Sequence, residues 1–149
     1  MPLILDIFGV VLVRGGLNEP LLQRCIQWRR DGEKIYGASN MSVSEHITVM
    51  QNPLIAAAFD MIYCSGQLGV SKPDPVFFAA VREKLGLLPE HLLFLDDSGI
   101  NVDAAQRLGW NAAVYTDVAD AAARIDGFFA NQRRENDPDK IAPPVETDA

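Results

Sequence analysis

The amino-acid sequence predicts an α/β fold: a Rossmann-like, doubly wound parallel sheet of about five strands with helices on both faces. Three observations carry this. Short apolar runs alternate with stretches of helical period. The most apolar run, Leu92-Leu93-Phe94-Leu95, has no polar face, as a strand covered on both sides requires. Capping residues, prolines and glycines punctuate the junctions between runs. The chain of 149 residues, 48% of them hydrophobic, is enough for one core and leaves little for a second.

Leu3-Ile4-Leu5 is the first strand. Leu21, Leu22, Cys25 and Ile26 then recur at helical spacing, with Asn18 as cap, Pro20 in the first turn and Gly32 as stop. Lys34 to Ala38 reads as the second strand. Val43 to Ala58 reads as helix, broken or restarted at Asn52-Pro53. Met61 to Cys64 is a third strand, followed by a loop rich in Gly, Ser and Pro. The next helix is capped by Asp74, opens on Pro75, buries Phe77, Phe78, Val81 and Leu85, and ends at Gly86. After the Leu92–Leu95 strand, Ile100, Ala104, Ala105 and Leu108 form a helix closed by Gly109. Ala112 to Tyr115 is the fifth strand and Val118 to Phe129 the last helix. The expected organisation is one core domain over residues 1–130, followed by a polar, proline-containing disordered tail over 131–149.

A net charge of -7 argues against a nucleic-acid footprint, and no run approaches the roughly 20 apolar residues of a membrane span. Two cysteines make no disulfide framework, so a reducing, cytoplasmic setting is expected. Cys25 and Cys64 read as core thiols, Trp28 and Trp110 as packing residues, and His46 and His91 as surface groups.

Ligands of doubly wound sheets bind beyond the carboxyl ends of the strands, near the point where strand order reverses. In this chain those positions hold Asp6, Ser39-Asn40, the Ser65–Lys72 loop and Asp96-Asp97. Neighbouring carboxylates repel unless a cation lies between them. An all-oxygen set suits Mg²⁺, which takes one or two carboxylates together with a phosphate oxygen. An Asp carboxylate can itself attack phosphorus, a lysine can balance the charge, and Ser39 with the amides around Asn40 can donate to phosphate oxygens. Singly, each group also reads as a turn, a helix cap or a solvated side chain. Together at the strand ends they read as one site.

Four segments, in order, resemble the motifs of the haloacid dehalogenase-like (HAD) hydrolase superfamily, in its subfamily I form. They are Leu3-Ile4-Leu5-Asp6-Ile7-Phe8-Gly9-Val10-Val11-Leu12, then Ala38-Ser39-Asn40, then Gly69-Val70-Ser71-Lys72-Pro73-Asp74-Pro75, and finally Leu93 to Val102 running on to Trp110. The resemblance implies Mg²⁺-dependent phosphoryl transfer through an aspartyl-phosphate. It makes Asp6 the nucleophile and a metal ligand. Ser39 and Asn40 become substrate-binding residues, and Lys72 a catalytic and substrate-binding one. Asp96, Asp97 and the Phe8 carbonyl become further metal ligands.

Two departures bear on function. Phosphatases of the family carry a second Asp two residues after the nucleophile, as general acid and base; here that residue is Phe8, so turnover should be slow. The dehalogenase branch carries an aromatic there but works without metal. Only thirty-three positions separate Asp6 from Ser39, room for a helix, a strand and a short Val10–Gly16 flap but not for a helical cap. The expected site is therefore open, suited to a phosphorylated and even macromolecular substrate, or to a lid from the second copy of a homodimer. The alternatives are a catalytically silent binding or regulatory protein on this fold and a metal-free dehalogenase-type hydrolase.

Overall fold

The computed structural model describes residues 2–140. Its order is β1 (Leu3–Leu5), β2 (Leu12–Val13), β3 (Gly16–Leu17), α1 (Glu19–Arg30), β4 (Ile35–Ser39), α2 (Val43–Met50), α3 (Pro53–Ala58), β5 (Met61–Cys64), α4 (Ser65–Leu68), α5 (Pro75–Leu85), β6 (Leu93–Asp96), α6 (Gly99–Arg107), β7 (Asn111–Val114) and α7 (Val118–Glu135).

Five strands form one parallel sheet in the order β5-β4-β1-β6-β7. Alternation along the strands divides the core. Leu3, Leu5, Leu93 and Leu95 face a cluster with Leu21, Leu22, Cys25, Ile55, Ile125 and Phe129, contributed by α1, α3 and α7. Ile4 and Phe94 face the opposite cluster with Phe77, Phe78, Val81, Ala105 and Trp110, contributed by α5, α6 and the segment after α6. Strand order reverses around β1, so the residues leaving β1, β4 and β6 enter a common crevice.

The helix boundaries follow local chemistry. Ser42 and Glu45 make a reciprocal capping box on α2, and Asn52 caps α3, whose first residue is Pro53. Asp74 caps α5, and Gly86 ends it in the left-handed region.

Between β1 and β4 the chain forms only the β2–β3 hairpin and α1. Val10 and Val11 are buried, while Val13 is exposed.

The structure moves several boundaries. Ser39 is the last residue of β4, paired with Cys64, and Asp96 is the last residue of β6, paired with Val114; neither simply follows its strand. The fifth strand starts one residue early, at Asn111. A one-turn helix, α4, interrupts the loop after β5. The expected tail from residue 131 is also corrected at its start. α7 continues to Glu135 because Gln132 reaches the buried face one turn after Phe129, and Arg133 and Arg134 suit the negative end of the helix. Residues 141–149 of that expected tail lie outside the described residues.

Candidate active site

Asp6 leaves β1 buried, its N–H donating to the Leu95 carbonyl on the adjacent strand at 3.0 Å. Lys72 reaches it from the loop before α5. The ammonium donates to Asp6 Oδ1 at 2.8 Å, to Asp96 Oδ2 at 2.7 Å and to the Ala38 carbonyl at 2.9 Å. All three of its protons are therefore committed. Its side chain is 1% exposed, so these bonds operate in a medium of low effective dielectric.

Asp96 is wholly buried and held from both sides. Oδ1 accepts from the Ser98 N–H at 2.9 Å, and Oδ2 accepts from Asn101 Nδ2 at 3.1 Å as well as from Lys72. Asp97 is exposed and turns its carboxylate onto Gly9. Gly9 has φ +90, and a Cβ there would overlap the Asp97 carboxylate. Glycine is thus demanded twice, by conformation and by the close approach. One ligand oxygen from each of Asp6, Asp96 and Asp97 lies within 4.8 Å of the others.

Burial pushes the Asp6 carboxyl from 3.8 up to about 7, outweighing the attraction of Lys72, with Asp96 and Asp97 adding to the rise. Three carboxylates against one ammonium leave an excess of two negative charges when all are ionised. The donor set is oxygen only, and this excess is what a divalent cation cancels. Both features fit Mg²⁺.

Ser39 is fully buried, and its Oγ has no hydrogen-bond partner. Such a group costs on the order of 1–3 kcal/mol unless something completes it. An oxyanion between Asp6 and Ser39 would do so.

Asn40 is redirected by the structure. Its Oδ1 accepts from the Lys72 N–H at 2.8 Å, and its Nδ2 donates to the Lys72 carbonyl at 2.9 Å. The side chain clamps the lysine loop, so what Asn40 retains for a phosphate is its backbone N–H. Phe8, two residues beyond Asp6, presents its ring outward at 41% exposure. Sequence reasoning gave no role to Asn101, although its place five residues after Asp96 at the start of α6 is the signal for it. Cys25 and Cys64 are free and buried, and burial pushes the Cys25 thiol up to about 12, away from its reactive thiolate form. No helix among the described residues is long and apolar enough to cross a membrane.

Residues 2–109 match the haloacid dehalogenase-like hydrolase family. The chain is 30% identical over 105 residues to enolase-phosphatase E1 of Yersinia pestis, covering 66% of this chain and 43% of that one. It spans less than half the length of each of the curated relatives it matches. An uncharacterized protein from Corynebacterium glutamicum superposes with a TM-score of 0.70 at 25% identity, over 87% of this chain and 94% of that one. A HAD family enzyme from Bacteroides thetaiotaomicron, solved with magnesium and inorganic phosphate, superposes with a TM-score of 0.60 at 27% identity, over 67% of this chain and 53% of the other.

Proposed function

The chain belongs to the haloacid dehalogenase-like hydrolase family, and from that premise we propose that it is a Mg²⁺-dependent phosphohydrolase acting through an aspartyl-phosphate on Asp6. The observation that carries the reading is the buried Asp6–Lys72–Asp96 cluster, with the partnerless Ser39 hydroxyl and the exposed Asp97 beside it. The magnesium and phosphate bound by the Bacteroides thetaiotaomicron enzyme and the phosphatase activity named for the Yersinia pestis relative support it.

Asp6, Asp96 and Asp97, with the Phe8 carbonyl, would hold the ion. When bound, it neutralises phosphate oxygens and keeps Asp6 ionised. Lys72 fixes the Asp6 carboxylate through Oδ1, which leaves the other oxygen to attack phosphorus. Ser39 Oγ and the Asn40 N–H donate to the transferring phosphoryl oxygens, and Asn40 holds the Lys72 loop in register with β4. Water then attacks the acyl-phosphate and restores Asp6. Phe8 offers no acid or base to either step, so turnover is slow, by an amount within the 10²–10⁴-fold that such groups typically contribute. Among the described residues no cap covers the site, which suits an exposed phosphoester, with a homodimer partner or a macromolecular substrate as its cover.

The test is hydrolysis of 4-nitrophenyl phosphate by purified protein. Mg²⁺-dependent release of nitrophenolate, abolished by chelator and in Asp6→Asn, is the expected outcome. Equal background rates in wild type and Asp6→Asn would instead favour a silent binding protein.

A further inference from the structure

β7 closes one end of the sheet, with β6 on its inner side and no strand on its outer side among the described residues. A parallel strand turns alternate residues towards its neighbour. Tyr115 donates its N–H to the Asp96 carbonyl at 2.8 Å, so Ala113 and Asn111 also direct their backbone groups at β6. Ala112 and Val114 therefore turn their N–H and C=O groups outward. The Ala112 carbonyl is met there at 2.9 Å by Nε2 of Gln106, an exposed side chain. The strand Asn111-Ala112-Ala113-Val114 carries none of the Lys, Pro or bulge that blunts an open edge. Beside it, a groove of about 540 Å³ is floored by Leu93, Ala113 and Phe128. α7 runs back along this groove to the strand starts, where Arg133 pairs with Glu33 ahead of β4 at 3.7 Å. The amino end of the groove thus holds Glu90, Gln132 and Glu135, and Arg124 lies about three turns away towards the carboxyl end. Gln132 is 8% exposed, and its Oε1 has no hydrogen-bond partner among the described residues.

We infer that β7 is a self-association edge: a second copy of this chain adds its own β7 antiparallel to it, about a two-fold axis through Ala113. Residues opposite one another in an antiparallel pair point to the same face, so a two-fold normal to the sheet must pass through a residue. With Ala113 on the axis, Ala112 of each copy pairs with Val114 of the other, and each pair exchanges the N–H and C=O groups that face outward. The Ala113 methyls meet as the closely spaced pair between them. An axis through Ala112 would call instead on Trp110, whose N–H is committed to the Ala105 carbonyl at 3.2 Å. The same two-fold reverses the groove, and opposite charges at its two ends make it complementary to itself. Arg124 spends Nε on Asp120 at 2.9 Å, which leaves the rest of its guanidinium for the second copy. It arrives at the end that holds Glu90, Glu135 and the unpaired Gln132 oxygen. An extended peptide would satisfy the backbone but not the charges at both ends, so the occupant is a second copy. The two crevices then open at opposite ends of a ten-stranded sheet, and this pairing places neither copy over the other's Asp6.

The experiment is sedimentation equilibrium of the full chain at protein concentrations up to about 100 μM, with the wild type reaching twice the chain mass. Val114→Pro removes an outward N–H that the β6 ladder does not use, so the fold should survive and the dimer Kd should rise on the order of tenfold. Arg124→Glu should raise it about tenfold as well, and adding Glu135→Arg should bring it back to within about threefold. Mild oxidation then reads the register. The closely spaced pair sits about 4.5 Å apart between Cα atoms, within disulfide reach, so Ala113→Cys should form a covalent dimer. Asn111→Cys, which faces Tyr115 of the other copy, should not. The wild type is the blank, because Cys25 and Cys64 are buried.

A wild type that stays monomeric over the whole range overturns the inference. A dimer whose Kd is untouched by both Val114→Pro and Arg124→Glu also overturns it, since the contact must then lie on another face. A dimer that cross-links through Asn111→Cys but not through Ala113→Cys overturns the pairing about Ala113. The charge swap and the cross-link decide the matter even if Val114→Pro fails to fold. None of these readouts depends on phosphoester hydrolysis, so the inference stands or falls apart from the proposed activity.

Discussion

Two clusters of opposite charge sit at opposite ends of the sheet, and they differ in balance as well as in burial. At the amino ends of β4 and β5, Asp60 accepts from Arg29 at 2.9 Å and from the Ile35 N–H at 2.8 Å, with Lys34 at 4.0 Å. Basic charge is in excess there, every oxygen of Asp60 is engaged, and the Arg29 and Lys34 side chains are 31% and 62% exposed. At the carboxyl ends, three acids face one lysine that is 1% exposed, and Ser39 has no partner. The first cluster is complete as it stands and staples α1 to the strand starts. The second keeps an uncancelled negative charge and an unpaired hydroxyl, which a cation and an anion would complete on the proposed reading. Charge imbalance and an orphaned donor in a buried place, rather than ion pairing itself, separate a site from a staple.

Removing the cation from each cluster exposes the difference most strongly. Lys72→Met leaves Asp6 and Asp96 buried without their partner. It should cost about 3–5 kcal/mol of stability and at least ~100-fold in phosphate-ester hydrolysis. Arg29→Ala should cost about 1 kcal/mol, since Asp60 keeps the Ile35 N–H and Lys34 as partners, and should leave hydrolysis unchanged. Thermal denaturation and steady-state rates of the two variants check this. Comparable stability losses, or comparable activity losses, would erase the distinction.

A smaller effect concerns protons. Without metal, Asp6 holds a proton up to a pH of about 7, whereas the unfolded chain loses it near 3.8. Between those values the folded state binds more protons than the unfolded one. The metal-free protein therefore loses stability as pH rises through this window, and the loss ends above it. Mg²⁺ must displace the same proton, so affinity should rise with pH and level off above about 7. Calorimetric titration in buffers of different ionisation heat should show close to one proton released at the acid end and almost none at the alkaline end. Proton release that does not change with pH would show that Asp6 is already ionised without the metal.

Much of this was legible in the sequence, for a physical reason. A strand buried on both faces reads as a continuous apolar run, so the carboxylates that end two of them, Asp6 and Asp96-Asp97, stand out as abrupt changes. Lys72 was legible through its setting among Gly69, Pro73 and the Asp74 cap. What stayed hidden depends on contacts between distant segments. The Asn40 clamp joins residues 32 positions apart, and the grip of Asn101 on Asp96 requires α6 to start where it does. Composition misled at the last helix, where the polar run after Phe129 conceals the single inward-facing Gln132. The single turn of α4 was masked by Gly66 and Gly69, although Gly69 is the left-handed residue that ends it.

If Asp6 receives the phosphoryl group, the covalent adduct can be trapped on it. The most direct measurement mixes the full chain and Mg²⁺ with a ³²P-labelled phenyl phosphate, quenches in acid within the first turnover, and maps the label by proteolysis. One acid-stable, hydroxylamine-labile phosphoryl group is expected on the peptide that contains Asp6, and none in Asp6→Asn. Label on any other residue, or phenolate released with no labelled protein, would contradict it.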